Sequence, residues 1–192
     1  MKKQGGHYEM FSVTPSGLWL PLFHQNNANV KEGGAILTQL LAGRVKYKLG
    51  AVYFEFANVA SPGDPVTVPE VEDTEGREYF DNLGVDRDYL RVQITTAPTI
   101  RARDGDEALF DEELGNDIEY YCISEGEAGV NGLPFGYGSN SVVYGMALVA
   151  TPDWSDRTKD LIFARGYYNT SNQIAKPASN QVGVRWVQPM GP

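Results

Sequence analysis

From Val45 onward, large apolar side chains alternate with polar or small ones in stretch after stretch, and the stretches are separated by spans rich in glycine, proline, asparagine and aspartate. Val45, Tyr47, Leu49, Ala51 and Tyr53 alternate with Lys46, Lys48 and Gly50 before Phe54-Glu55-Phe56 shifts the phase, which predicts a strand with a bulge near Gly50–Phe54. Strands are predicted likewise at Tyr89–Thr96, Asn116–Ser124, Ser141–Ala150, Lys159–Tyr168 and Gln181–Gln188. Ser61-Pro62-Gly63-Asp64-Pro65, Asp104-Gly105-Asp106, Glu125–Gly138 and Asn169–Asn180 read as the connections. No helix recurs between strands, which argues against a parallel α/β sheet. The expectation is a mainly β chain: an antiparallel β-sandwich, jelly-roll-like, with one or two short helices and an extended N-terminal arm.

The first helix is expected at 30–42, where Ile36, Leu37, Leu40 and Leu41 share a face. Asn29 with Glu32 fits a capping box, and Gly43 stands where a C-terminal glycine belongs, although Gly33-Gly34 weaken the first turn. A second helix is expected at 75–83, with Tyr79, Phe80 and Leu83 on one side and Gly84 as its stop. Residues 1–30 carry Tyr8, Phe11, Trp19 and Phe23 among Pro15, Gly17 and Pro21 without a sustained period. They read as an arm lying on this domain or on a neighbouring subunit, or equally as an N-terminal strand of the domain itself. The domain assignment is therefore an arm over 1–30 and a single sandwich over 31–192.

Charge and side-chain supply narrow the chemistry. The net charge is −9, and nothing concentrates the Lys and Arg that phosphate binding needs, so direct nucleic-acid binding is not expected. The acid is unevenly placed: +3 over residues 1–63, −14 over 64–127 and +2 over 128–192. Such a block suits a solvated face, a surface for a basic partner, or calcium ligands such as Asp104 and Asp106, although the later ligands of an EF-hand are missing. No apolar run reaches the ~20 residues of a membrane helix, and the start lacks the apolar core of a signal peptide. Cys122 alone allows no intrachain disulfide and no thiolate metal site, so no metal or cofactor is expected.

Catalysis finds little support in the motifs. His7 and His24 are the only histidines for a nucleophilic triad, and both fall in the irregular N-terminal stretch. Cys122 alternates with Tyr121 and Ile123 as a buried thiol would. The run from Gly132 to Ser139 lacks the lysine of a P-loop and opens no helix, and no Gly-x-Ser-x-Gly elbow occurs. Carboxylate pairs for glycoside hydrolysis are abundant in 104–117, where solvation explains them as well. Tyr167-Tyr168-Asn169 and Asp153-Trp154-Ser155-Asp156 offer aromatic faces beside hydrogen-bonding groups, suited to a sugar platform or simply to packing on a sheet. The glycosylation pattern Asn169-Thr170-Ser171 carries no meaning without export.

Several stretches share a phrasing: Val52-Tyr53-Phe54-Glu55-Phe56-Ala57-Asn58-Val59-Ala60 followed by Pro62-Gly63-Asp64-Pro65-Val66-Thr67-Val68-Pro69, then Asp88-Tyr89-Leu90-Arg91-Val92, Met146-Ala147-Leu148-Val149-Ala150, Asp160-Leu161-Ile162-Phe163-Ala164-Arg165 and Val182-Gly183-Val184-Arg185-Trp186. Together they resemble structural proteins from the virion modules of tailed bacteriophages. The resemblance implies a non-catalytic assembly subunit of the capsid, collar or tail, built in the host cytoplasm and partnered by copies of itself and other virion proteins. It implies an arm that reaches across subunits through Tyr8, Phe11, Trp19 and Phe23, so that removing residues 1–30 would leave a folded domain that no longer assembles. The alternatives from other classes are a carbohydrate-binding receptor module of a tail fibre and a glycan hydrolase.

Overall fold

A computed structural model describes residues 6–61, 64–66, 76–101, 117–124, 141–167 and 180–189. The alternating stretches form two five-stranded sheets in which every pairing is antiparallel. The strands are β1 (His7–Val13), β2 (Trp19–Asn26), β3 (Ala28–Asn29), β4 (Leu49–Asn58), β5 (Arg87–Gln93), β6 (Thr99–Arg101), β7 (Asp117–Ile123), β8 (Ser141–Ala150), β9 (Leu161–Tyr167) and β10 (Gln181–Pro189). The first sheet has the order β2-β1-β10-β7-β6 and the second β3-β9-β8-β4-β5. The expected mainly β, sandwich-like architecture is what forms.

The sheets meet through the residues that the period of two turns inward. Tyr8, Met10, Tyr120, Cys122, Val182, Val184 and Trp186 come from the first sheet, and Val52, Phe54, Met146, Leu148 and Ala164 from the second. Tyr8 stacks on Trp186, with ring centroids 5.2 Å apart, and its hydroxyl donates to the Gly166 carbonyl across the sandwich at 3.1 Å. Burying that phenol is tolerable because its polar end finds an acceptor.

The stretch read as an arm is part of the sandwich. β1 runs between β2 and β10, and Tyr8 and Met10 are fully buried among this chain's own side chains. The period was hidden because β1 and β2 shift register between Met10 and Phe11, which interrupts the alternation around Pro21 and Leu22. One further sequence expectation changes: Val45–Tyr47 forms a 3-10 turn rather than the start of a strand. The bulge expected near Gly50–Phe54 has its counterpart at Gly50, where the β4–β8 register shifts between Leu49 and Ala51, and a second shift follows at Glu55/Phe56.

The helices are α1 (Lys31–Leu41) and α2 (Arg77–Asp81). The expected capping box does not form. The cap residue of α1 is Val30, without a side-chain bond, while Asn29 accepts from Gln188 Nε2 at 3.1 Å. The Glu32 carboxylate instead accepts from two distant backbone amides, Arg77 at 2.6 Å and Ile162 at 2.7 Å, and so fastens α1 to α2 and β9. At the other end Gly43 adopts φ +73°, and the Gly43 and Arg44 amides donate to the Leu40 and Gln39 carbonyls as a Schellman motif requires.

Candidate functional site

Antiparallel register defines the outer face of the first sheet. Trp19 and Val13 share one cross-strand row with Gln181; Pro21, Phe11, Gly183 and Ile123 form the next; His24, Glu9, Arg185 and Tyr121 the one after. Gly183 has no side chain, and the Trp19 ring fills the space above it: a Cβ there would lie 2.5 Å from the indole. Trp19 thereby meets Phe11 at 5.2 Å and Tyr121 at 6.3 Å between ring centroids, both edge to face. On this face Ile123 is 37% exposed; at the β2 edge Leu18, just before Trp19, is 59% exposed, and Leu20, which pairs with Ser12 and so points to the other side of the sheet from Trp19, is 43% exposed. Exposed apolar side chains gathered at one sheet edge suit an interaction surface.

A polar row borders the aromatics. Arg185 bridges Glu9, at 3.0 Å, and Glu119, while the Tyr121 hydroxyl donates to Glu119 at 2.9 Å. His7 on β1 and His24 on β2 pack edge to face at 4.8 Å. Both are thus held in strands, contrary to the irregular setting expected for them. Burial, followed by the proximity of His24, holds the His7 pKa below its ordinary value.

A cleft of about 470 Å³ opens where β5, an edge of the second sheet, approaches the end of β7. Leu90 and Val92 give it an apolar wall, and Gln93, Thr95, Ser124 and Gln181 supply uncharged polar groups. Trp154, 48% exposed as a residue, lines it with Arg91 stacked on its ring at 4.1 Å. The same guanidinium donates to the backbone carbonyls of Trp154 and Asp153 and pairs with Asp160 at 2.7 Å. The turn is braced from within: Asp153 Oδ1 accepts from the Ser155 amide at 3.0 Å and its hydroxyl at 2.6 Å, and Lys159 reaches Asp153 Oδ2 at 2.9 Å. These bonds hold the Asp153 carboxyl down to about 2.

Behind the cleft, the outer face of the second sheet carries a buried polar network beneath α2. Arg165 and Glu55, both essentially without exposed surface, form a two-point pair at 2.8 and 3.2 Å, with the Tyr167 hydroxyl also bonded to Arg165 and Tyr79 over the guanidinium at 3.8 Å. Tyr53 donates to Asp160 at 2.5 Å; burial pushes the Asp160 pKa up against the pull of Tyr53 and Arg91. Glu55 and Asp160 are thus closed in by arginines and tyrosines, the opposite of two carboxylates converging on an open cleft.

The four side chains assigned to an arm interface part company. Tyr8 is fully buried in the core and Phe23 packs against it at 6.0 Å, so both serve this chain's own packing; Phe11 and Trp19 lie on the outer face. Cys122 is buried, with its thiol pushed up to about 12. Tyr167 is buried at the Arg165 pair, while Tyr168-Asn169, the 104–116 acids with Asp104 and Asp106, the Gly132–Ser139 run and Asn169-Thr170-Ser171 lie outside the described residues. Among the described residues no group of three or more His, Cys, Asp or Glu is placed to hold a metal, and no helix is long and apolar enough to cross a membrane. Sequence reasoning missed Arg91, Gln93, Tyr121 and Gln181, whose signal lies in cross-strand register rather than in any motif.

No known family, curated protein or solved structure matches the chain.

Proposed function

We propose that this chain is a non-catalytic structural subunit of a tailed-bacteriophage particle, in the capsid, collar or tail, and that it assembles with copies of itself and with other virion proteins. The observation that carries the reading is the Phe11–Trp19–Tyr121 row with Ile123 exposed beside it, ending at the β2 edge where Leu18 and Leu20 are also exposed. An aromatic row rimmed by exposed aliphatics matches the composition of an interface core, where aromatics contribute most of the affinity. Among the described strands its neighbour β2 lies at the edge of the sheet, a position that suits continuation into another chain. The resemblance of the strand-and-turn segments to virion proteins supports the same reading. In it, the contact expected of an arm is made by the outer side of the β1–β2 hairpin, through Phe11 and Trp19.

The test is the mass of the purified protein in solution by light scattering. A defined oligomer that dissociates in Leu18→Ser/Leu20→Ser, two exposed positions whose change spares the fold, is the expected result. A wild-type monomer, or an oligomer indifferent to the double substitution, would refute the surface assigned to assembly.

A further inference from the structure

An indole that is half exposed and yet braced from both sides calls for an explanation, because exposure loses hydrophobic gain and bracing loses side-chain freedom. Trp154 is in that position: Arg91 covers its ring, Arg91 also grips the carbonyls on either side of its peptide, and the Asp153–Ser155–Lys159 bonds fix the turn. Arg91 brings no free charge to the cleft, since Asp160 neutralises it at 2.7 Å. The other polar side chains lining the cleft are two glutamines, a threonine and a serine, all uncharged. Gln93 and Thr95 are exposed, while Gln181 is steadied by its bond to the Ser124 carbonyl at 2.8 Å. A volume of about 470 Å³ lies within the range of small-ligand sites, roughly 300–1,000 Å³.

We infer that this cleft binds a neutral saccharide, with a sugar ring set against Trp154 and its hydroxyls bonded to Gln93, Thr95 and Gln181. A pyranose presents just this pair of surfaces: an apolar C–H face for an aromatic ring and a rim of groups that both donate and accept, as side-chain amides do. A charged ligand would have no free counter-charge among these residues, and a purely apolar one would leave the amides without partners. Ile123 borders both this cleft and the aromatic row, so the two readings are separated by the residues tested, Trp154 and Gln93 here against Leu18 and Leu20 there.

The experiment titrates the intact protein with neutral oligosaccharides of glucose, galactose, mannose and N-acetylglucosamine, read by tryptophan fluorescence and calorimetry, with oligogalacturonate as the acidic comparison. Binding of at least one neutral sugar is expected, weakened about tenfold in Trp154→Ala and weakened again in Gln93→Ala, with thermal unfolding unchanged in the second variant. If Trp154→Ala is unstable, Trp154→Phe keeps a ring on Arg91 and must retain part of the affinity. Failure of every neutral sugar to bind at millimolar concentration, preference for the acidic one, or binding indifferent to both variants would overturn the inference. A wild-type monomer that binds sugar would overturn the assembly surface alone.

Discussion

Arg165 shows how far a single side chain here is committed to its partners. Its guanidinium has about 1% of its side-chain surface exposed, pairs at two points with a fully buried Glu55 and lies under the Tyr79 ring. Removing one member of such a pair strands the other charge, so Arg165→Met is expected to cost about 3–5 kcal/mol in denaturant unfolding. Replacing both, as Arg165→Met/Glu55→Leu, should cost less than the sum of the two single changes, since neither member of the pair is then left buried without the other. His7 offers a second test. Its native pKa lies below the ordinary 6.5, so the unfolded chain takes up the proton first as pH falls. The stability tied to neutral His7 is therefore complete above 6.5 and declines as the pH drops from 6.5 to the depressed native value. Melting temperatures at about pH 7.5 and 5.5 should differ more in the wild type than in His7→Gln. Cys122, which its strand position already marked as a buried thiol, should resist thiol reagents until the chain unfolds. Trp154 was legible as an aromatic face in a polar turn, but neither the Arg165–Glu55 pair nor the residues that complete the Trp154 cleft, Arg91, Gln93 and Gln181, were, because each set joins residues far apart in sequence whose meeting depends on register.

Elements were most legible where periodicity ran unbroken. β8 and β10 match their expected ranges to within one residue, whereas β1 and β2 were obscured by one irregular register step and by Pro21, which an edge strand tolerates. Glycine was the residue most easily misread. Gly33 appeared only to weaken α1, yet a Cβ there would come within 2.5 Å of the Phe163 carbonyl, so its absence is what lets the helix lie on β9. Gly183 plays the corresponding part under Trp19. Gly183→Ala should displace the indole, costing about 1–3 kcal/mol and altering tryptophan emission, measured by equilibrium unfolding followed by fluorescence. The Glu32 carboxylate teaches the same caution: its spacing from Asn29 suggested a local cap, but two better-aimed backbone donors from other elements claimed it.

At the scale of the molecule, the sandwich followed from composition and turn spacing, while strand order did not, since alternation identifies a buried face without naming its partner. The order changes one expectation outright. With β1 between β2 and β10, a chain lacking residues 1–30 loses Tyr8 and Met10 from the core and leaves β10 at an edge, so it should show no cooperative melt by circular dichroism. The pairing of His7 with Val187 has a kinetic side as well. β1 emerges early in synthesis and stays without its central partner until β10 has been made, by which time almost every other strand is waiting too. Contacts of such long sequence separation close slowly, so the first sheet should form after the second, and Tyr8 and Met10 should stay exposed on the nascent chain until β10 has been made.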